Sequence, residues 1–309
     1  MHIYNIVIST KLNMNRICLN VLVGVPASGK TTYCKHIETT RTHTFNVVHV
    51  CYDSFIRVDA QYDLFSNDTG SYKLRRKKLL SLMETIIVAV KENDREKLEN
   101  SLTYVENEFG VVLKISLSTD YKDYLFVIDD NMYYRSMRLE WLKVAKKLSL
   151  GFFQTFFDIP LALALQRNQA RISPIQKEVV VSMWIRLEKP CGDLHQWEKQ
   201  CICFRETYDM NTAIELAKYC IKTPVQGVIK IQSVPMEQSK VHQIDLLLRK
   251  RISKRMARAK ETMPSNDLEV FAHHLQKQKA NLLDQLRKGE CCRPDVVEKN
   301  IQIIADTLF

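Results

Sequence analysis

Gly24-Val25-Pro26-Ala27-Ser28-Gly29-Lys30-Thr31 stands between a short apolar run, Ile17 to Val23, and a helix-compatible stretch, Lys30 to Thr39. The order is strand, loop, helix, and the loop has the G-x-x-x-x-G-K-[ST] spacing that wraps phosphate oxygens with backbone N–H groups. Its glycines let the main chain approach an anion closely. Lys30 offers a point charge to the β and γ phosphates and Thr31 a hydroxyl to Mg²⁺, while the helix aims its positive end at the anion. Gly24, Val25, Pro26, Ala27, Ser28, Gly29, Lys30, Thr31 and Thr32 are therefore the expected nucleotide-binding residues. No guanine-specifying N-K-x-D element follows, so ATP with Mg²⁺ is the expected pair.

Outward from this loop the chain alternates between short apolar runs and helical patterns. Asn46 to Tyr52 is β-rich and stops at Asp53; Tyr124 to Ile128 stops at Asp129 and Asp130. Gly151 to Phe157 is an aromatic-rich strand, Pro160 opens a helix through Asn168, and Cys201 to Phe204 precedes a helix from Thr212 to Lys222. Such alternation predicts an α/β fold, a P-loop NTPase-type parallel sheet flanked by helices. Ligands of these sheets gather at the carboxyl ends of the strands, which is where the acids fall. Asp129 fits the position of a carboxylate that holds Mg²⁺, and Asp130 can share that role. Asp53 is placed to orient an acceptor hydroxyl and take its proton. Arg167 and Arg171 form R-x-x-x-R, and a helical continuation would put both guanidinium groups on one face, suited to a migrating phosphoryl group.

Between the second and third strands, Tyr72 to Lys122 is a long insertion whose start carries Lys73, Arg75, Arg76, Lys77 and Lys78. It reads as a lid or partner-facing excursion, or as a helix with a solvated face. The expected organisation is an extension over 1–15, a kinase domain over 16–222, a linker over 223–240 and a smaller all-α domain over 241–309. Pro224, Gly227 and Pro235 among polar residues mark the boundary. Beyond it Val241, Ile244, Leu248, Ile252, Met256 and Ala259 draw one apolar stripe, and Leu268, Phe271, Leu275, Leu282 and Leu286 a second.

The first of these helices carries Arg249, Lys250, Arg251, Lys254, Arg255, Arg258 and Lys260 against Asp245 alone. With the stripe docked inward it would present a basic ridge to an RNA backbone, in keeping with a formal net charge of +10 for the whole chain. DNA and membrane partners are not expected. No run of 18 apolar residues occurs, and the first residues lack the basic start and apolar stretch of a secretion signal, so a cytoplasmic protein is expected. The nine cysteines form no C-x-x-C pair and read as reduced thiols; Cys201 and Cys203 lack suitably spaced partners for a metal. Nothing in the sequence excludes a homodimer.

At the site residues the sequence resembles the seryl-tRNA(Sec) kinase family. Asp129-Asp130-Asn131-Met132-Tyr133-Tyr134-Arg135-Ser136-Met137-Arg138 resembles its D-D-N-x-Y-Y-x-S-M-R, followed by Leu148-Ser149-Leu150-Gly151-Phe152. Leu165-Gln166-Arg167-Asn168-Gln169-Ala170-Arg171 resembles its arginine pair, and Leu187-Glu188-Lys189-Pro190 with Trp197-Glu198 a later signature; the likeness extends into Arg249 to Glu261. The resemblance implies transfer of phosphate from ATP to the serine carried by selenocysteine tRNA, for selenocysteine synthesis. It implies Asp53 as the acceptor-side carboxylate and places Arg167 and Arg171 in a mobile phosphate-binding segment. One departure is visible: Ser54 follows Asp53 where a second acid is expected.

A serine pocket cannot tell one seryl-tRNA from another, so such an enzyme needs RNA shape to be read elsewhere, for which the basic tail is suited. Two other readings share the core. One resembles the Elongator-accessory ATPases, which bind tRNA without modifying the aminoacyl group; the other is a small-molecule or polynucleotide kinase.

Overall fold

The computed structural model describes residues 14–40, 44–56, 69–118, 121–205, 207, 209–226 and 240–264, then 267, 270–271, 274–275, 277–279 and 281–283. The chain divides into two compact units, Met1–Val228 and Ile229–Phe309. In the first unit the strands are β1 (Arg16–Val23), β2 (Asn46–Cys51), β3 (Asp123–Asp129), β4 (Gly151–Phe157) and β5 (Cys201–Phe204). All pair in parallel, in the order β2-β3-β1-β4-β5. Its helices are α1 (Lys30–Thr39), α2 (Tyr52–Phe55), α3 (Thr69–Glu92), α4 (Arg95–Phe109), α5 (Arg135–Leu148), α6 (Leu161–Gln169), α7 (Lys177–Arg186) and α8 (Met210–Lys222).

Strand β1 is central and covered on both faces, which explains why its sequence is apolar almost without interruption. Ile17, Leu19, Val21 and Val23 join one core cluster, in which Leu79, Met83, Ile86, Ile87 and Val90 of α3 and Trp141, Leu142 and Ala145 of α5 also sit. Cys18 and Leu22 point the other way, into a second cluster with Tyr33, Cys34 and Ile37 of α1 and Ala213, Ile214, Ala217 and Cys220 of α8. The buried exception on β1, Asn20, donates to the Tyr33 hydroxyl at 2.9 Å and accepts from Thr155 at 2.9 Å. Both halves of its amide are thereby engaged, as a polar group at the centre of a sheet requires.

Two expectations change. Helix α3 is not a lid: its apolar residues at three- and four-residue spacing face the sheet, and of its basic start Lys73, Arg75, Lys77 and Lys78 are exposed while Arg76 is buried. The fold also starts before residue 16, because buried Asn15 donates through its main chain to Lys91 at 2.9 Å and through its side chain to Val90 at 2.7 Å. The earlier part of the expected extension, and residues 227–239 of the expected linker, lie outside the described residues.

Helix α8 approaches the start of β4 so closely that a Cβ on Gly151 would lie 2.3 Å from the main-chain oxygen of Cys220. Gly151→Ala is therefore expected to lower stability by about 1–3 kcal/mol, read as an earlier urea midpoint with an unchanged slope.

In the second unit, α9 (Lys240–Thr262) buries Ile244, Leu248, Ile252 and Ala259 of the expected stripe. Leu275 and Leu282 of the second stripe are also buried, and Phe271 lies 5.8 Å from the Arg255 guanidinium. Asp245 is buried too, 2.9 Å from Lys279 and paired with Arg249. The one acid of the basic segment therefore serves the interior. Leu268, Leu286 and the side chain of Val241 lie outside the described residues.

Candidate active site

The loop from Gly24 to Thr31 closes the carboxyl end of β1 and turns into α1 through three unusual backbone conformations, at Gly24, Ala27 and Gly29. A Cβ on Gly24 would sit 2.7 Å from the Ser28 hydroxyl and 3.2 Å from Phe157, so only glycine fits between loop and β4. Ala27 holds φ at 62°, a left-handed conformation that costs about 1–3 kcal/mol outside glycine and is retained where the backbone shape has a use. Gly29, at φ 105°, would direct a Cβ into open space, so its conformation and not crowding calls for glycine there. The loop is tied to its neighbours by Gly24 donating to the Asn131 carbonyl at 3.0 Å.

Lys30 is buried under this loop. Its ammonium donates to the carbonyls of Gly24 at 3.0 Å and Val25 at 2.8 Å and to Asn131 Oδ1 at 3.0 Å. Burial pulls its pKa down from the ordinary lysine value; the carboxylates of Asp129, Asp53 and Asp130 oppose this, and Arg171 adds to it. The structure thus brings Lys30, Asp53, Asp129, Asp130 and Arg171, which the sequence scatters over 142 positions, into one electrostatic neighbourhood.

The three residues after β3's apolar run divide their work. Asp129 Oδ2 accepts from the Thr31 hydroxyl at 2.8 Å and lies 3.1 Å from His49 Nε2. Burial pushes its carboxyl up, but the His49 ring, the Lys30 ammonium and the Thr31 hydroxyl together hold it below the ordinary aspartate value. Asp130 instead takes the Arg76 guanidinium at 2.6 Å; this arginine also stacks 4.6 Å from the buried Tyr52 ring and donates to Tyr72 at 3.1 Å. Asn131 binds the loop and Lys30. A hydroxyl and an ionised carboxylate side by side are hard oxygen donors suited to Mg²⁺, so Thr31 and Asp129 fit that ion. The partner of Asp130 is already in place.

Asp53 lies exposed at the start of α2, next to the buried Tyr52 over whose ring Arg76 stacks. Arg167, half-buried, occupies the last turn of α6. That helix ends at Gln169, so Arg171 lies in the following loop and not one turn on along the same face. Asn168 sets the loop's course, donating to Ile175 O at 2.6 Å and accepting from Ile175 N at 3.1 Å. Thr32 is exposed on the first turn of α1. In the second unit Lys250, Lys254, Arg255 and Arg258 are exposed along α9, Arg251 is half-buried, and Arg249 is held by Asp245.

Residues of the later signature turn out to buttress the site. Arg138, fully buried, donates to Glu198 Oε1 at 2.7 Å and to the Met132 carbonyl at 3.0 Å. Glu198 Oε2 accepts from the Cys191 main chain at 3.0 Å. Glu188 accepts from the Arg135 main chain at 2.6 Å, capping an orphan N–H at the start of α5. These contacts fasten residues 188–198 onto the Asp129–Met132 turn.

Loop, sheet and acids together define a P-loop nucleotide-binding protein of α/β architecture. More narrowly, the chain belongs to the family described as chromatin associated protein KTI12, whose sequence model matches residues 17–291. It is similar to the L-seryl-tRNA(Sec) kinase of Mus musculus, 28% identical over 305 residues, with 88% of this chain and 85% of the mouse protein covered. The Homo sapiens L-seryl-tRNA(Sec) kinase is 27% identical over 278 residues, covering 78% of each chain. The resemblance seen in the motifs thus extends over most of the chain. Among solved structures, Chaetomium thermophilum Kti12 in complex with ADP-AlF3 is similar at 14% identity and a TM-score of 0.46, over 67% of this chain and 99% of that one.

Proposed function

We propose that this protein is an ATP-dependent phosphotransferase acting on the serine of seryl-tRNA(Sec), giving O-phosphoseryl-tRNA(Sec) and ADP. The observation that carries the reaction type is an exposed Asp53 just past the end of β2, within the field of the buried Lys30, while Asp129 is engaged by the Thr31 hydroxyl. An exposed carboxylate there suits an incoming alcohol. The choice of alcohol rests on the similarity to the mouse and human kinases over most of their lengths.

In this reading the loop amides and Lys30 hold the β and γ phosphates, and the amino end of α1 faces them. Thr31 and Asp129 hold Mg²⁺, which when bound neutralises charge on the phosphate oxygens. Asp53 accepts the serine hydroxyl proton as its oxygen attacks phosphorus. Arg167 and Arg171 meet the negative charge spread over the equatorial oxygens of the transferring group. Selenocysteine tRNA is bound through α9, and the reaction takes place in the cytoplasm. Separately, no described helix is long and apolar enough to cross a membrane.

The test is incubation with γ-labelled ATP and seryl-tRNA(Sec), then release of the amino acid under mild base. Labelled phosphoserine is expected, with negligible label on free serine or on uncharged tRNA. Free phosphate alone would favour the second reading, an ATPase that binds tRNA without modifying it. Label on a free nucleoside or an RNA end would indicate a different kinase.

Neutralising Lys250, Lys254, Arg255 and Arg258 together should weaken tRNA binding and flatten its salt dependence, each lost phosphate contact removing ~0.7–0.9 from the log–log slope. A filter-binding series over salt reads this; an unchanged slope would move the RNA site off α9.

A further inference from the structure

Where α1, β2 and β3 meet, three chemically unlike groups converge. Cys34 lies one turn into α1, His49 near the end of β2, and Asp129 at the end of β3; one ligand atom from each falls within 4.8 Å of the others. Among the described residues this is the cluster with metal-ligand character. We propose that Cys34, His49 and Asp129 form a binding site for a thiophilic divalent cation, with Zn²⁺ as the type ion, whose occupancy takes Asp129 away from Mg²⁺ and holds the enzyme inactive.

Four observations support it. First, the donor set is sulfur, imidazole nitrogen and carboxylate oxygen, which suits zinc and does not suit magnesium. Second, the spacing is close to what is needed: zinc bonds of ~2.0–2.3 Å set tetrahedral ligands roughly 3.3–3.8 Å apart, and His49 Nε2 already stands 3.1 Å from Asp129 Oδ2. Third, an outer partner is nearby. The other ring nitrogen of His49 faces Glu38 at 3.8 Å; a short approach of the two would complete the carboxylate–histidine arrangement that holds the imidazole proton on Nδ1 and frees Nε2 for a metal. Fourth, His49 and Glu38 are both partly open to solvent, giving an ion a way in to the buried thiol.

The cation displaces the thiol proton of Cys34 to solvent and forms a metal–sulfur bond; His49 keeps one proton, on Nδ1. Asp129 exchanges the Thr31 hydroxyl for the cation. Water fills the fourth position. Because Asp129 serves both sites, the two cations compete.

Cobalt is the probe, since a thiolate bound to Co²⁺ gives a near-ultraviolet sulfur-to-metal charge-transfer band. The full-length protein with Co²⁺ should show this band, and Zn²⁺ should bleach it. Adding Mg²⁺ with a non-hydrolysable ATP analogue should weaken it. Cys34→Ala should abolish the band, cut Zn²⁺ inhibition of turnover by at least ~100-fold, and leave turnover with Mg²⁺ alone unchanged. His49→Gln, which keeps the thiol, should weaken Co²⁺ binding by ~10- to 100-fold and covers the case in which Cys34→Ala does not fold. No band in the native protein, or a band that survives Cys34→Ala, overturns the proposal. The spectroscopic outcome does not involve the acceptor, so a protein inert toward seryl-tRNA would still report on this site.

Discussion

Replacing Asp53 with Asn lowers phosphoseryl-tRNA formation by ~10²- to 10⁴-fold, the range removed with a general base, while ATP affinity stays at the native level. Asparagine keeps the size of the side chain and one acceptor oxygen, so it can still orient the serine hydroxyl. It cannot take the proton. Asp53 is exposed, so the substitution opens no cavity and should not change folding. Asp53 lies in the field of Lys30, but that lysine is positioned by hydrogen bonds to the loop carbonyls and Asn131 and not by Asp53. The discriminating readout is the split between turnover and nucleotide binding, because a group used only in the transition state moves the first and spares the second. If turnover survived, the base would have to be sought elsewhere and Asp53 would be a turn residue. If ATP affinity collapsed with it, the carboxylate would belong to the nucleotide side.

The nucleotide half of the site is legible in the residues because its determinants are local. Lys30 and Thr31 act from within eight consecutive positions, and the strand before and helix after them carry their own patterns. Asp53, Asp129 and Asp130 are legible as strand ends. Their division of labour is not: Asp129 and Asp130 are adjacent in sequence, yet one meets Thr31 and the other Arg76. Arg76 shows the reason. Within Lys73 to Lys78 it is one cation among several, and its burial is decided by Asp130, 54 residues away, and by the Tyr52 ring. The same run hides the apolar stripe that makes α3 a layer of the core. No glycine or proline lies between Arg167 and Arg171, so the end of α6 is unmarked and the arginines read as one helical face. Asn168, between them, carries the signal in hindsight, since a buried asparagine near a helix end commonly closes a loop.

The Arg138–Glu198 pair gives the largest expected effect on stability and separates support from chemistry. Glu198→Ala leaves a guanidinium with no exposed surface and no counter-charge, and should cost about 3–5 kcal/mol. Arg138→Ala should cost less, because the buried Glu198 carboxylate keeps the Arg135 guanidinium at 3.6 Å and the Cys191 main-chain donor at 3.0 Å. The double replacement Arg138→Met with Glu198→Leu removes both charges and roughly keeps the volume, so its cost should be far below the sum of the two. A urea-denaturation cycle on the four proteins reads the difference. What survives in the double variant then tests the role of the pair. Arg138 also holds the Met132 carbonyl, one residue from the Asn131 that grips Lys30, and Met132 itself sits at a φ of 42°. A stable double variant should therefore bind ATP less tightly, because the turn that places Asn131 has lost a tether while every group that touches nucleotide is intact. If the double variant were stable and bound ATP as the native protein does, residues 188–198 would serve the fold alone. Unaltered stability in Glu198→Ala would mean that the guanidinium reaches water, and the buried pair would not exist in solution.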